Sequence, residues 1–302
     1  VKLWELPASK NNKNVDPAFT ALVVAAMRRV APLLEYAEFY SFIGSSDTPR
    51  KSSGASGGQF RALNSDFPDN RTDITRGLLQ LATFGDKIQM DQAYERREQD
   101  IGSIFTRELE RVGEMIGRGL QYAMIRASAS DPNSFNGILN QIPSGRTMTH
   151  AVAVNNEAGV RALVEKIRYA VDETPGANFI LMDSQLKNAI STYADKIMVG
   201  FVTELGRQIM TVADVPVVIA GKNASGIRAL PWTPSSASST TSVIVGYSGE
   251  QAGVAFGSNV GIEVRDQGLV GTHYETSIEV DVDLDVLNDE ALYVISGIPG
   301  AS

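Results

Sequence analysis

The sequence predicts an α+β fold, and three observations carry that expectation. Residues from about Tyr94 to Ala129 place apolar side chains in steps of three and four, the period of one helical face. From Asn156 to Ala220 helical and extended patterns alternate. From Val243 onward the chain turns to strands, ending in Glu279-Val-Asp281-Val-Asp283-Leu-Asp285, where acids and apolar groups alternate.

In chain order, Asp16-Pro17 reads as an N-cap followed by proline at the first helical position, opening a helix over Phe19 to Val30. Pro32 ends or kinks it, and Leu33 to Ile43 continues as an aromatic-rich segment. Thr48 to Gly58 is Ser/Gly-rich and reads as a joint. Extended stretches at Gln59 to Asn64 and Gly77 to Met90 follow, separated by the turn-forming Asp66-Phe67-Pro68-Asp69-Asn70. Residues 51–91 therefore form a long two-stranded excursion, which is marginal alone in water and rests on something else, such as another subunit. The helix after it carries Ile104, Phe105, Leu109, Val112, Ile116 and Leu120 on one face. Some 35 residues at the helical rise span roughly 50 Å, more a strut than a core element. Gly102, Gly113, Gly117 and Gly119 lower its intrinsic propensity.

Asp131 to Asn140 is a turn-rich exit. Then come a helix over Asn156 to Glu173, a strand over Asn178 to Met182 and a helix over Ser184 to Lys196. Val215 to Ala220 is extended, with Pro216 suggesting an edge position. Residues 221–242 form a polar loop holding Pro231-Trp232-Thr233-Pro234. Strands follow at Val243–Gly246, Gly253–Phe256 and Ile262–Val264, then a glycine-rich hairpin at Asp266 to Thr272 and an alternating run from Ser277 to Ser296.

Composition excludes much. Among 302 residues there is no cysteine, and the two histidines are His150 and His273. Disulfide scaffolds, thiolate zinc sites and cysteine nucleophiles are ruled out, and a multi-histidine metal centre is disfavoured. The apolar run Phe19 to Met27 falls far short of the ~20 residues a membrane helix needs. The net charge of −8 argues against a surface that grips nucleic acid throughout. Its distribution is uneven: residues 250–302 hold ten acids and one base, Arg265, whereas residues 1–60 hold seven bases and five acids. The ordinary account of that acidity is a solvated face; the sharper one is a surface that repels packed nucleic acid or meets a neighbour's basic arm.

Catalytic motifs are near misses. Asp281-x-Asp283-x-Asp285 begins like a calcium loop but has Val286 where glycine is needed and Leu292 where the bidentate Glu belongs. Gly246-Tyr-Ser248-Gly-Glu250 departs from the nucleophile elbow at its fifth residue. Ala220-Gly221-Lys222 lacks the phosphate-loop spacing. What remains is a set of extended parts poorly satisfied in a monomer: a mobile N-terminal arm, a hairpin, a strut helix and a long final strand. They make sense in a large symmetric assembly.

The order of these elements resembles that of the major capsid proteins of tailed phages, which have the Hong Kong 97-type fold. Residues 1–50 are similar to the N-arm and 51–93 to the E-loop. Residues 94–150 and 250–285 are similar to the peripheral domain with its spine helix at 94–129, and 151–249 and 286–302 to the axial α/β domain. Phe135-Asn-Gly137-Ile-Leu139-Asn resembles the family's stretch leading out of the spine helix.

The resemblance implies a non-enzymatic structural protein without cofactor or metal. It would form hexamers and pentamers of an icosahedral head, enclosing double-stranded DNA without sequence-specific binding. It would be assembled in the host cytoplasm with scaffolding, portal and decoration proteins, and no membrane would be involved. Some relatives lose an N-terminal scaffolding segment, with which a start at Val1 is compatible. The covalent Lys–Asn cross-link of some members is not expected, because the hairpin tip has no lysine; Lys51 and Lys87 lie near its base. Candidate intersubunit contacts are Phe60, Arg61, Phe67, Arg71 and Arg76 of the hairpin, with Trp232 of the polar loop. An encapsulin-like compartment shares the fold, and a serine hydrolase using Ser248 is the enzymatic alternative.

Overall fold

The computed structural model describes residues 1–7, 15–53, 60, 61, 63, 65, 73–93, 101–194, 199–204, 207–236, 238–249 and 252–300. The turn expected at 66–70, and the first turns of the long helix at 94–100, lie outside these residues.

The N-terminal part holds helix α1 (Pro17–Val30), the single turn α2 (Leu33–Tyr36) and strand β1 (Phe39–Ser41). Asp16 caps α1, its carboxylate accepting from the amides of Ala18 at 2.8 Å and Phe19 at 3.2 Å. This segment is not the mobile arm expected from sequence. Leu3, Val23, Met27, Leu33 and Leu34 are fully buried, because α1 packs along the long helix α3 (Ile101–Arg126). The α3 glycines explain the fit. A Cβ at Gly117 would stand 2.9 Å from Met27 Cα, and one at Gly113 would stand 3.3 Å from Val23 Cα. Residues that weaken a lone helix thus let two helix backbones approach closely here.

The 26 described residues of α3 span about 39 Å at the helical rise. The helix ends at Arg126, short of the expected Ala129, because the following turn folds back onto it. The Gly137 amide donates to Ala127 O at 2.8 Å, and Asn136 Oδ1 accepts from the Ala129 amide at 2.9 Å. A Cβ at Gly137 would meet the helix backbone 2.7 Å away, at Arg126 N.

The excursion is built from β2 (Ser46–Asp47), β3 (Arg50–Ser53), β4 (Asp73–Arg76), β5 (Leu79–Gln80) and β6 (Ala82–Asp91). β3 pairs with β4 and β2 with β5, as successive rungs of one hairpin. The strand expected at 59–64 is not formed by its described residues; Phe60 and Arg61 are irregular and Leu63 lies in a turn. Pairing begins earlier, in the Ser-rich stretch read as a joint.

Downstream lie β7 (Thr147–Thr149), α4 (Glu157–Asp172), β8 (Phe179–Met182), α5 (Ser184–Ser191), β9 (Gly200–Glu204), β10 (Arg207–Val212) and β11 (Val215–Ile219). Then come β12 (Thr240–Gly246), β13 (Ser248–Gly249), β14 (Ala252–Ser258), β15 (Glu263–Val270), β16 (His273–Val286) and β17 (Leu292–Pro299). A seven-stranded sheet runs β7-β17-β12-β8-β11-β10-β9. Pro216 is therefore not at an edge. It sits one residue into β11, which meets β10 in only two residue pairs across a tight turn with positive φ at Ala213 and Asp214. Alternate residues of this sheet enter two cores. Ile180, Met182, Val243, Val245 and Ile295 pack with α4 and α5 side chains, whereas Phe179, Leu181, Ile244 and Val294 join the core built around α1 and α3. Burial on both faces is why Phe-Ile-Leu-Met reads as an unbroken apolar run.

The second sheet is organised by β16. β6 pairs with its residues 273–282, β15 with 273–279 and β14 with 283–286. The glycine-rich hairpin is shorter than expected. β15 runs on to Val270, with a bulge at Gly268, before Gly271-Thr272 turns the chain.

Candidate assembly interface

No described cavity gathers a catalytic set, and no group of His, Asp or Glu able to hold a metal ion occurs among the described residues. Ser248 is buried, its hydroxyl oxygen accepting from the Glu38 amide at 2.9 Å and its backbone held by the Asn178 side chain. It serves as a polar joint between the N-terminal segment and the sheet. His150 is fully buried with neither ring nitrogen bonded among the described residues. Burial, then the nearby Lys166 ammonium, lowers its pKa.

The hairpin presents what the core leaves unused. Phe60 is fully exposed, with Ile43, Leu63 and Leu78 also open to solvent. Arg61 is exposed and donates to Ser65 O at 2.9 Å. Arg76 lies directly opposite Arg50 in the β3–β4 pair, both are exposed, and no carboxylate of a described residue pairs with either. Like charges facing each other across strands are destabilising, so this pair costs the isolated chain stability. Phe67 and Arg71 lie outside the described residues. Trp232 is corrected. At 3% exposure it is a core residue of the α4–α5 side, lying beside Val154 and Ala189.

The acidic C-terminal part is a solvated face only in part: Asp266, Asp289 and Glu290 are exposed. Glu263, Glu275, Asp283 and Asp285 are buried, and all but Asp283 meet a cation. Lys87 pairs with Glu275 at 2.5 Å, Arg265 with Glu263 at 2.6 Å, and Lys51 with Asp285 at 2.5 Å. The hairpin base and its own β16 thus share charge. Beside them lies a cavity of about 760 Å³, bounded by Lys51, Gln80, Asn133, Gln141, Asp283 and Asp285. Asp283 Oδ2 accepts from the Gln80 amide at 2.5 Å, and Thr83 donates to Asp281 at 2.7 Å. Burial pushes Asp283 up to about 6 despite the amides of Leu284 and Gln80, and burial also raises Asp285 against the pull of Lys51. The Tyr40 phenol on β1 is raised by burial and by Asp47, Asp285 and Asp283.

Gln121 was not singled out from sequence. At 1% exposure, its Oε1 accepts from the Leu33 amide at 3.0 Å, and its Nε2 donates to Ile219 O at 3.0 Å and Ala220 O at 2.8 Å. One side chain of α3 joins the N-terminal segment to the seven-stranded sheet. Its one sequence signal is an amide among apolar helical positions.

No family model matches the chain, and no curated protein matches it by sequence. Solved structures do match in fold. The holo-SrpI encapsulin of Synechococcus elongatus is 14% identical, with 90% of this chain and 89% of that chain covered at a TM-score of 0.64. The capsid of a native GTA particle is 14% identical, with 98% and 94% covered at 0.60. The capsid of Myoviridae phage XM1 is 13% identical, with 89% and 92% covered at 0.51. The chain has the mixed α+β Hong Kong 97-type fold with its long helix.

Proposed function

We propose that many copies of this chain assemble into a closed icosahedral shell, the head of a tailed double-stranded DNA phage, built in the host cytoplasm with scaffolding, portal and decoration proteins. The observation that carries this is the length of the fold match, 98% of this chain against 94% of a particle-forming capsid chain. The hairpin supports it. Exposed Phe60 and Leu63, with the opposed Arg50 and Arg76, are features a neighbouring acidic and apolar surface would satisfy. Arg61, Phe67 and Arg71 belong to the same proposed contact; Trp232 does not.

An encapsulin-like compartment is the second reading, favoured by the TM-score of 0.64 to the cyanobacterial encapsulin. Electron microscopy of the purified chain is the test. Regular hollow particles are expected, and a monodisperse monomer under every solution condition would sink the proposal. Particles isolated from the native source separate the two readings: nuclease-protected DNA inside marks a head, and enclosed protein marks a compartment.

A further inference from the structure

We propose that Asp283 and Asp285 make the root of the hairpin a proton-operated latch, docked more tightly when the carboxylates hold protons and loosened when both are ionised. The geometry comes first. Residues two apart on β16 point to one face, and both strands of the hairpin attach there. Lys51 on β3 reaches Asp285 Oδ1 at 2.5 Å, and the Gln80 amide on β5 reaches Asp283 Oδ2 at 2.5 Å. The second oxygen of Asp285 is buried without a hydrogen-bond partner, against Gly77, where a Cβ would come within 2.3 Å. Two buried carboxylates therefore lie side by side with one ammonium, which Asp285 holds, while Asp283 meets only backbone amides; a buried charge without a counter-ion is costly.

The other groups around the pair offer no relief. β1 contributes the neutral Tyr40 phenol and β2 contributes Asp47, another acid. On β14 the residues in register with Asp285 and Asp283 are Ala255 and Gly257. Asn133, Ser134, Asn136 and Gln141 at the cavity wall are uncharged, as is Thr83 on β6. On β16 itself Asp281 is bonded to Thr83.

The direction follows. Docking raises the proton affinity of both carboxylates, so protons are taken up on docking and acid favours the docked state. For Asp283, about 6 when docked against 3.8 when free, the docking equilibrium should weaken by about 100-fold between acid and neutral pH. The latch belongs to the single chain and does not rest on what a shell would enclose.

Hydrogen exchange of the Gln80 amide, corrected for its intrinsic pH dependence, reads the latch bond directly. In the wild-type chain its protection should fall by between 10- and 100-fold from pH 4.5 to 7.5, while amides of β8 keep theirs. Asp283→Asn should remove most of that fall. Lys51→Met, which keeps both carboxylates, should move the midpoint to higher pH. Flat wild-type protection, an unchanged slope in Asp283→Asn, or an unmoved midpoint in Lys51→Met would each overturn the proposal.

Discussion

Replacing Gln121 with leucine tests how α3 holds the molecule together. Leucine keeps most of the side-chain volume and improves the apolar character of the site, so packing alone predicts little change or a small gain. The hydrogen bonds predict otherwise. The substitution strips the Leu33 amide of its acceptor at 3.0 Å and the Ala220 carbonyl of its donor at 2.8 Å, both around a side chain that is 1% exposed. A buried polar group left unsatisfied costs about 1–3 kcal/mol. Two such groups, less about 1 kcal/mol for the added apolar contact, leave a net loss of about 3 kcal/mol. The assay is denaturant unfolding of the dissociated chain, with the midpoint shift taken at constant slope. Arg118→Gln on the exposed side of α3, where only a 3.5 Å ion pair to Glu114 is lost, should change stability by less than about 0.5 kcal/mol. A Gln121→Leu loss no larger than that control would refute the idea that this amide ties the segments together.

Gly117→Ala should destabilise by about 1–2 kcal/mol, because the new methyl would crowd Met27 Cα at 2.9 Å. That strain outweighs the roughly 1 kcal/mol gain in helix propensity. Gly113→Ala, with contacts of 3.2–3.3 Å, should be close to neutral by the same unfolding assay. His150 has a lowered folded pKa, so the unfolded chain binds the proton more readily. Stability should fall as pH drops below the ordinary histidine value of about 6.5, and His150→Leu should flatten that part of the unfolding midpoint–pH curve. Arg76→Glu should turn the Arg50 repulsion into a cross-strand ion pair, leaving the chain as stable or up to about 1 kcal/mol more so. Particle yield by sedimentation should nonetheless drop sharply. Normal particle yield would remove the two arginines from the proposed contact.

Legibility in the sequence tracked how local the cause was. The α1 cap at Asp16-Pro17, the α3 face through Leu109, Val112, Ile116 and Leu120, and the apolar run of β8 were all readable, because cap chemistry and periodicity act within a few residues. β9 and β10 were missed; β10 turns into β11 through the two residues Ala213-Asp214, neither of them glycine or asparagine. The hairpin register was misplaced because a Ser-rich segment became a strand once a partner lay beside it. Of the candidate contacts, Phe60, Arg61 and Arg76 are exposed, whereas Trp232 is buried in the α4–α5 core.

The sequence by itself determined the α+β class, the long helix, the absence of thiol chemistry and the concentration of acid in the last fifth of the chain. These depend on composition and short-range spacing. Only the tertiary structure decided what those acids and glycines do. Burial and partner identity are long-range properties, and Lys51 lies 234 residues from Asp285 along the chain. Distance along the chain likewise hides the reason for Gly113 and Gly117, which weaken a helix in isolation and permit a close crossing once α1 is laid against it.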